Sequence, residues 1–394
     1  MKKSLPNRKQ NEQNNQVSKK KSWVRIILYF FCGTILCIGI GGAVIRLLYQ
    51  KNCVPIHTNE PAVQFSETPT PQSVRLKQQY PYYKRSEDNS FLSLPEWYIV
   101  FSAQEYADFI KDKNPSDFPF LTSVKNYWQY YCSIYSYTTP RYPVNPDGYD
   151  LGLSVIGTSY SVEYLLKGLY ETTIGRLSEM LGEKTDEDHY AYAVQNEYAQ
   201  FLHLIPFYEF PFLEKYKDLW NTTSLVGPNM VRKLERKNSL STMYIVNGVY
   251  GTLIRKATKT IYPSELLMTM SIVQAPKEAL LLSDSRIEIK EELESGVFLI
   301  TTPRYEPFTV IAQSLADRHV QFLEIAGNTR IMATAVVPKR NPIVELQPSI
   351  LFRVSIATQP DFERIVLSLP VQQLSDTIRI LKAANQNIEH IYDY

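Results

Sequence analysis

The sequence predicts an α+β protein with a single transmembrane helix, an aromatic-rich helical domain and a ferredoxin-like α/β sandwich domain. Three observations predict this order: an uncharged apolar stretch near the N-terminus, helical spacing of apolar residues after it, and β-branched runs separated by turns towards the C-terminus. The predicted segments are a basic cytoplasmic tail, a transmembrane helix, a linker, a helical domain and an α/β domain, at 1–22, 23–48, 49–90, 91–264 and 265–394.

The transmembrane helix is predicted from residues 26–45, which contain no charged side chain and are closed by Arg25 and Arg46. At about 1.5 Å per residue, a helix of this length crosses a hydrocarbon core of about 30 Å. Eight Lys or Arg residues precede it against one acid, Glu12, and only Arg46 and Lys51 follow closely. This bias predicts a cytoplasmic N-terminus and an extracytoplasmic body, anchored in the inner (plasma) membrane by one span. A cleaved signal peptide is the rival interpretation, but its apolar region would be only about 7 to 15 residues long.

The formal net charge is +2, but it is unevenly distributed along the chain. Residues 1–50 carry nine basic residues and one acid, so residues 51–394 carry a net charge of −6. The body lacks the basic excess that nucleic-acid binding requires, and no nucleic-acid partner is expected. Cys53 and Cys132 are the cysteines outside the predicted span. Two alternatives stay open for them, a disulfide or two isolated thiols, and the second is favoured because one lies in a linker and the other in a predicted helix.

The linker is rich in Pro, Thr, Gln and Ser without a helical or strand period, which predicts an extended spacer. After it, capping-box patterns at Ser93–Glu96 and Ser102–Glu105 predict one kinked helix or two short helices. Thr158 or Ser159 and the pair Thr185 and Asp186 are predicted caps of later helices. The further predicted helices lie at 118–135, 159–180, from 186 to Pro206, and at 229–261.

From about Val297 the sequence favours strands, and a hairpin is predicted to turn at Gly327 and Asn328. The predicted elements are a strand at 297–302, a helix at 308–319, hairpins of 322–325 with 330–337 and of 351–357 with 364–369, a helix at 371–384 and a strand at 388–392. This order is that of a ferredoxin-like sandwich with an extra hairpin, whose helices cover one face of the sheet. No internal repeat is found in the sequence.

Two phrases carry a resemblance to known proteins: Leu94-Pro-Glu-Trp-Tyr98, and Glu389-His-Ile-Tyr-Asp-Tyr394 at the C-terminus. They resemble segments of uncharacterised bacterial proteins that also have a single N-terminal membrane span. The resemblance implies a bacterial inner-membrane location and implies no activity.

No catalytic template fits the sequence, so the catalytic residues are unknown and no metal or cofactor is expected. Acidic and histidine side chains of the helical domain raise a metal hypothesis: Glu163, Glu171, Asp186, His189, Glu197 and His203. Their spacing argues against it, because di-iron bundles use Glu-x-x-His pairs, whereas Glu197 and His203 are six residues apart. Ser159 resembles the serine of a nucleophile elbow, but Ser161 stands where that turn requires glycine.

Two groups of charged residues are assigned to helix surfaces. The first is a solvated basic stripe, with contact to anionic lipid as the alternative: Arg232, Lys233, Arg236 and Lys237. The second is an ion-pair ladder at a spacing of four: Glu163, Lys167 and Glu171.

The aromatic excess gives the candidate binding residues Trp97, Trp128 and Trp220, which with neighbouring tyrosines could form a groove for a sugar or a peptide. Packing in the core is the alternative, and it is favoured. From these observations the sequence predicts a membrane-anchored, extracytoplasmic interaction or scaffold protein of the cell envelope, with an envelope protein or a wall polymer as partner. The alternative is an envelope enzyme, a hydrolase whose site the sequence does not reveal.

Overall fold

The computed structural model describes residues 54–56, 71–84, 91–140, 149–258, 267–340, 346, 349–386 and 388–393. Its first part is helical, with helices α1 Pro71–Gln79, α2 Leu94–Asp112, α3 Phe120–Thr138, α4 Tyr149–Tyr170, α5 Arg176–Met180, α6 Asp186–Leu202, α7 Phe212–Thr222 and α8 Met230–Thr258. A π-helical turn, Glu171–Gly175, joins α4 to α5 without a break. The second part is built on strands, so the predicted α+β class is confirmed.

One predicted helix cap is confirmed and another is wrong. Thr185 and Asp188 form the capping box at the beginning of α6, as Thr185 predicts, and the backbone amide of Thr185 donates to the Asp188 carboxylate at 3.0 Å. The helix predicted to begin at 159 instead begins at Tyr149, so the predicted cap Thr158 lies inside it. There the Thr158 hydroxyl donates to the backbone carbonyl of Ser154 at 2.8 Å.

The second part contains two antiparallel sheets of four strands each. The strands are β1 Met268–Gln274, β2 Glu288–Glu294, β3 Val297–Pro303, β4 Gln321–Ile325, β5 Arg330–Pro338, β6 Ile350–Ser355, β7 Phe362–Pro370 and β8 Ile388–Tyr392. Helices α9 Lys277–Ser283, α10 Glu306–Asp317 and α11 Leu374–Ala383 lie between them in the sequence. The first sheet has the order β2-β3-β1-β4 and the second the order β6-β7-β5-β8. The two sheets therefore share one topology, a repeat that the sequence did not reveal.

One predicted hairpin is wrong, because its two strands belong to different sheets. Strands β4 and β5 were expected to pair, but β4 pairs with β1 whereas β5 pairs with β7 and β8. The turn between them is short and strained, because Ala326 and Gly327 both have positive φ, at 50° and 71°. Only the bridge between Ile325 and Asn328 closes it among the described residues. The chain therefore passes at Gly327 from one sheet into the other.

Each sheet has two covered faces. Apolar residues of both sheets share one core with α10 and α11, including Phe308 and Leu381. On the other face of the first sheet lie α1 and the turn after it, where Leu76 and Tyr83 are fully buried and the Tyr83 hydroxyl donates to Glu324 at 2.5 Å. Part of the segment predicted as an extended linker is thus a helix packed on a sheet.

The helical part covers the other face of the second sheet. Phe352 and Tyr392 of that sheet lie in one core with the aromatic residues of α2 and α3. Across this boundary the buried guanidinium of Arg364 in β7 donates to Glu105 of α2 at 3.0 Å and to Glu389 of β8 at 2.6 and 2.7 Å. This ion triad joins the helices to the sheet.

The predicted transmembrane helix at 23–48 and the tail before it lie outside the described residues. In the part of the chain that the structure describes, no helix is both long and apolar enough to cross a membrane. Within these residues the structure therefore does not support the prediction of a single-pass membrane protein. Cys132 of α3 is disulfide-bonded, which corrects the favoured prediction of two isolated thiols. The other three cysteines lie outside the described residues, so pairing with Cys53 stays the open alternative.

Candidate interaction surface

The four basic residues of α8 are buried, which corrects the prediction of a solvated stripe. Arg232, Arg236 and Lys237 are each 2 % exposed, and Lys233 is only slightly more accessible. A cation in such a position is stable only when opposite charges and hydrogen bonds replace its water. Acidic residues of α4 to α6 and of α8 itself supply these partners, so this side of α8 forms part of the interior of the helical part.

Arg236 is at the centre of the buried charges. Its guanidinium binds Glu171 with two hydrogen bonds, at 3.0 and 2.8 Å, and Glu235 with two more, at 2.8 and 2.7 Å. Two such forked pairs satisfy both carboxylates as well as the guanidinium. Burial alone would raise the pKa of Glu235, but hydrogen bonds and charge from Arg236, helped by Ser178 and Tyr170, hold that pKa below its ordinary value.

Arg232 lies one turn earlier and binds the beginning of α6. It donates to the Asp188 carboxylate at 3.1 and 2.6 Å and to the Ser178 hydroxyl at 2.7 Å. It also donates to the backbone carbonyl of Gly175 at 3.3 Å. Arg232 and Arg236 with Glu171, Asp188 and Glu235 are called the buried charge network below.

The π-helical turn places Glu171 in this network. A π turn accommodates one extra residue and shifts the faces of the helix on either side of it. Gly175 ends the turn, and a Cβ atom at this position would lie 2.5 Å from the Glu171 carboxylate and 3.4 Å from the Arg236 guanidinium. A glycine is therefore required here by close packing against an ion pair. Glu171 pairs with Arg236 and not with Lys167, whose ammonium lies 3.7 Å from the Tyr106 ring centre.

The opposite sides of α4, α5 and α8 are apolar and exposed. We call the following exposed side chains the apolar face: Leu151, Ile156, Val162, Leu165, Leu166, Leu169, Ile174, Leu177, Met180 and Leu181 with Met230, Val231, Leu234, Ile245, Val246 and Leu253. The first ten lie from α4 to the residue after α5, and the last six lie on α8. Soluble proteins scatter single apolar residues over their surfaces, whereas a contiguous set of this size marks a binding surface.

The two sets of helices lie side by side and antiparallel. Tyr170 donates to Glu235 at 2.8 Å, and towards the other end of α8, Glu163 and Asn247 line the same crevice. Residue numbers therefore rise along α4 as they fall along α8. The network between the helices fixes their spacing, and the apolar face lies on the side away from the network.

A small crevice between α4, α6, α7 and α8 is one candidate for an enzyme site among the described residues. It is lined by Glu163, Lys167, Tyr198, Tyr244 and other residues, and its volume is about 30 Å³. Burial lowers the pKa of Lys167 to about 8, although the nearby carboxylates oppose this shift. A volume of this size holds about two or three water molecules, because each needs about 10–15 Å³. The crevice therefore does not admit a substrate.

The other residues of the metal hypothesis are distributed over separate places. Glu197 pairs with Lys215 at 2.7 Å, and His203 lies 3.6 Å from Glu306 of α10. Glu171 belongs to the buried charge network. No group of three side chains of the kinds that bind metals occurs among the described residues.

The three candidate tryptophans do not line one groove. Trp97 and Trp128 are buried in the same aromatic core, where Trp97 stacks on His390 with ring centres 3.4 Å apart and Trp128 donates to Ser161 at 2.9 Å. Trp220 of α7 is 44 % exposed and donates to Ser241 at 2.9 Å. Ligand binding by any of them stays a prediction.

The apolar face was missed because the charged residues were used to orient α8. Arg232 and Arg236, like Lys233 and Lys237, are four apart and mark one side of a helix. The apolar residues Val231, Leu234, Ile245 and Leu253 mark the other side with equal regularity. A helix with two such sides can be oriented either way from sequence.

No family model, no curated protein and no solved structure matches this chain.

Proposed function

We propose that this protein is an interaction or scaffold protein and that the apolar face is its binding surface. The observation that carries this proposal is the inversion of α8, whose charged side is buried and whose apolar side is exposed, with further exposed apolar residues on α4 and α5. Exposed apolar area of this extent costs free energy in water, which a partner recovers by covering it.

The size of the face supports a specific interface. Helix α4 has 22 residues and α8 has 29, which correspond to about 33 and 44 Å at 1.5 Å per residue. Two adjacent helices, each about 10 Å wide, then present about 700 Å². A standard interface buries about 800 Å² on each partner.

The disulfide at Cys132 supports an extracytoplasmic location for this function. Disulfides persist in oxidising compartments and are rare in the cytosol, where thiols are kept reduced.

We also propose that each sheet with its helices is a ferredoxin-like unit. The strand order β2-β3-β1-β4 with antiparallel neighbours, and the matching order of the second sheet, support this finer description. The partner classes predicted from the sequence, an envelope protein or a wall polymer, remain proposals.

The alternative of an envelope hydrolase receives less support. A single deep pocket lined by Glu163, Glu171, Glu197 and His203 would favour it, but these residues lie in four different environments. The crevice beside Glu163 is too small for a substrate.

A crosslinking pull-down from the native cell tests the proposal. The full chain is compared with Leu169→Glu and Leu177→Glu, each of which places a charge on the apolar face. Leu282→Glu is the matched control, because Leu282 of α9 is 67 % exposed and lies in the other part of the chain. We expect the wild type and the control to capture the same stoichiometric partner, which can be another protein or a second copy of this chain. The two face variants should lose that partner. A partner retained by both face variants would disprove the proposal.

A further inference from the structure

We propose that the apolar face binds a second copy of this chain, with α8 packed antiparallel on α8 of the other copy about a two-fold axis near Thr242. This inference rests on the proposed function, since it names the occupant of the same face. It is carried by the charge, the spacing and the polar residues of α8.

The charge distribution permits self-association. In a two-fold interface the same patch occurs on both copies, so a patch of one charge sign would repel itself. All five charged residues of 230–253 lie in the interior, and no exposed side chain in this range is charged. The first exposed charge on α8 is Lys256, near its C-terminal end. Two such surfaces can meet over about 35 Å, at 1.5 Å per residue, without bringing like charges together.

The spacing of the outer side chains suits helix pairing. The outer positions of α8 are exposed or half-exposed at 231, 234, 238, 242, 245, 249 and 253, with steps of three, four and four that repeat. This is an 11-residue repeat, which keeps one side of a helix aligned over many turns with little supercoiling. A stripe that keeps its direction for the whole length of α8 can contact a second helix along that length.

One polar residue, Thr242, sets the register. It is exposed in the middle of the stripe, with Val231 towards one end and Leu253 at the other. Thr242 is the midpoint of the stripe, so an antiparallel pair centred on it places Thr242 against Thr242 of the second copy and Val231 against Leu253. Polar side chains within an apolar seam favour the single register in which they reach one another, as buried Asn residues do in coiled coils.

Sedimentation velocity of the full chain at several concentrations tests the dimer. Val231→Glu and Ile245→Glu place a charge on the stripe, and Leu282→Glu is again the control for an added carboxylate. We expect a dimer for the wild type and the control. Each stripe variant should weaken dimerisation at least about 30-fold, because a carboxylate buried among apolar side chains is costly and the two-fold axis repeats the change. A wild-type dimer that both stripe variants leave unchanged would overturn the inference.

Cysteine crosslinking tests the register without depending on the stripe variants. Thr242→Cys should give a disulfide-linked dimer on a non-reducing gel, whereas Thr222→Cys on the exposed end of α7 should not. Equal crosslinking at both positions would contradict the axis near Thr242.

Two further outcomes identify another occupant. A monomeric wild type that loses a different protein partner in the Leu169→Glu variant would overturn the second copy and leave the proposed function standing. A monomer that floats with phosphatidylglycerol vesicles, and that Val231→Glu releases from them, would assign the face to lipid and also overturn the second copy. A monomer with neither behaviour would overturn both the inference and the proposed function.

Discussion

Removal of the Arg236 cation is the sharpest test of the buried charge network. Arg236→Met keeps most of the length of the side chain and removes the charge with its four hydrogen bonds to Glu171 and Glu235. The two carboxylates are themselves 4 % and 8 % exposed as side chains, so water cannot replace the lost donors. Removal of one member of a buried ion pair costs about 3–5 kcal/mol. A loss of this size is a large fraction of the 5–15 kcal/mol by which an ordinary domain is stable.

The measurement is urea denaturation followed by far-UV circular dichroism. Arg176→Ala is the matched control, because Arg176 pairs with Asp117 on the surface and such a pair contributes about 0–1 kcal/mol. We further expect the triple variant Arg236→Met, Glu171→Gln, Glu235→Gln to recover part of the loss, since neutral groups leave no uncompensated charge. A cost below about 1 kcal/mol for Arg236→Met would refute the argument that this network stabilises the fold.

Three titrating groups give further predictions. Because the pKa of Glu235 is held low in the folded state, ionised Glu235 stabilises the fold above its ordinary pKa of 4.5, and this stabilisation is lost as the pH falls through the lower value. Glu235→Gln should therefore flatten the acid side of a plot of unfolding free energy against pH. Burial raises the pKa of Glu105 despite the opposing charge of Arg364, so the unfolded chain loses this proton at a lower pH than the folded protein does. In denaturation titrations the unfolding free energy of the wild type should therefore fall relative to that of Glu105→Gln as the pH rises above 4.5. Burial, helped by His203 and Arg304, lowers the pKa of His390, so stability should fall as the pH drops below 6.5; an equal fall in His390→Leu would contradict this.

Helices α2, α3, α6 and α8 could be predicted from the sequence, because caps and apolar spacing are local signals. Thr185 begins α6 as expected, and the predicted helix at 229–261 corresponds to α8, Met230–Thr258. The strands β3 to β8 were predicted for the same reason. Their pairing was not, because the partners of β5 are set by the conformation at Ala326 and Gly327 and by strands far away in the sequence.

The orientation of α8 could not be predicted because burial of its charges depends on partners from other helices. Arg236 is stable inside only because the π turn brings Glu171 to it, and a π turn leaves no reliable mark in the sequence. Without that partner, exposure is the ordinary expectation for Arg. The charged side of α8 was therefore predicted to face solvent, opposite to where it lies.

The buried charged side and the exposed apolar side of α8 have one physical explanation. If its apolar side faced the interior, Arg232 and Arg236 would be hydrated and the helix could pack at many angles, because apolar contacts are not directional. The forked pairs of Arg236 with Glu171 and Glu235 are directional, and they hold α4 and α8 at one spacing. A rigid pair of helices presents its apolar side in one shape, so the partner that covers it loses less conformational entropy on binding. The buried charges thus cost solvation free energy in the isolated chain and preorganise the surface on which we expect the second copy to bind.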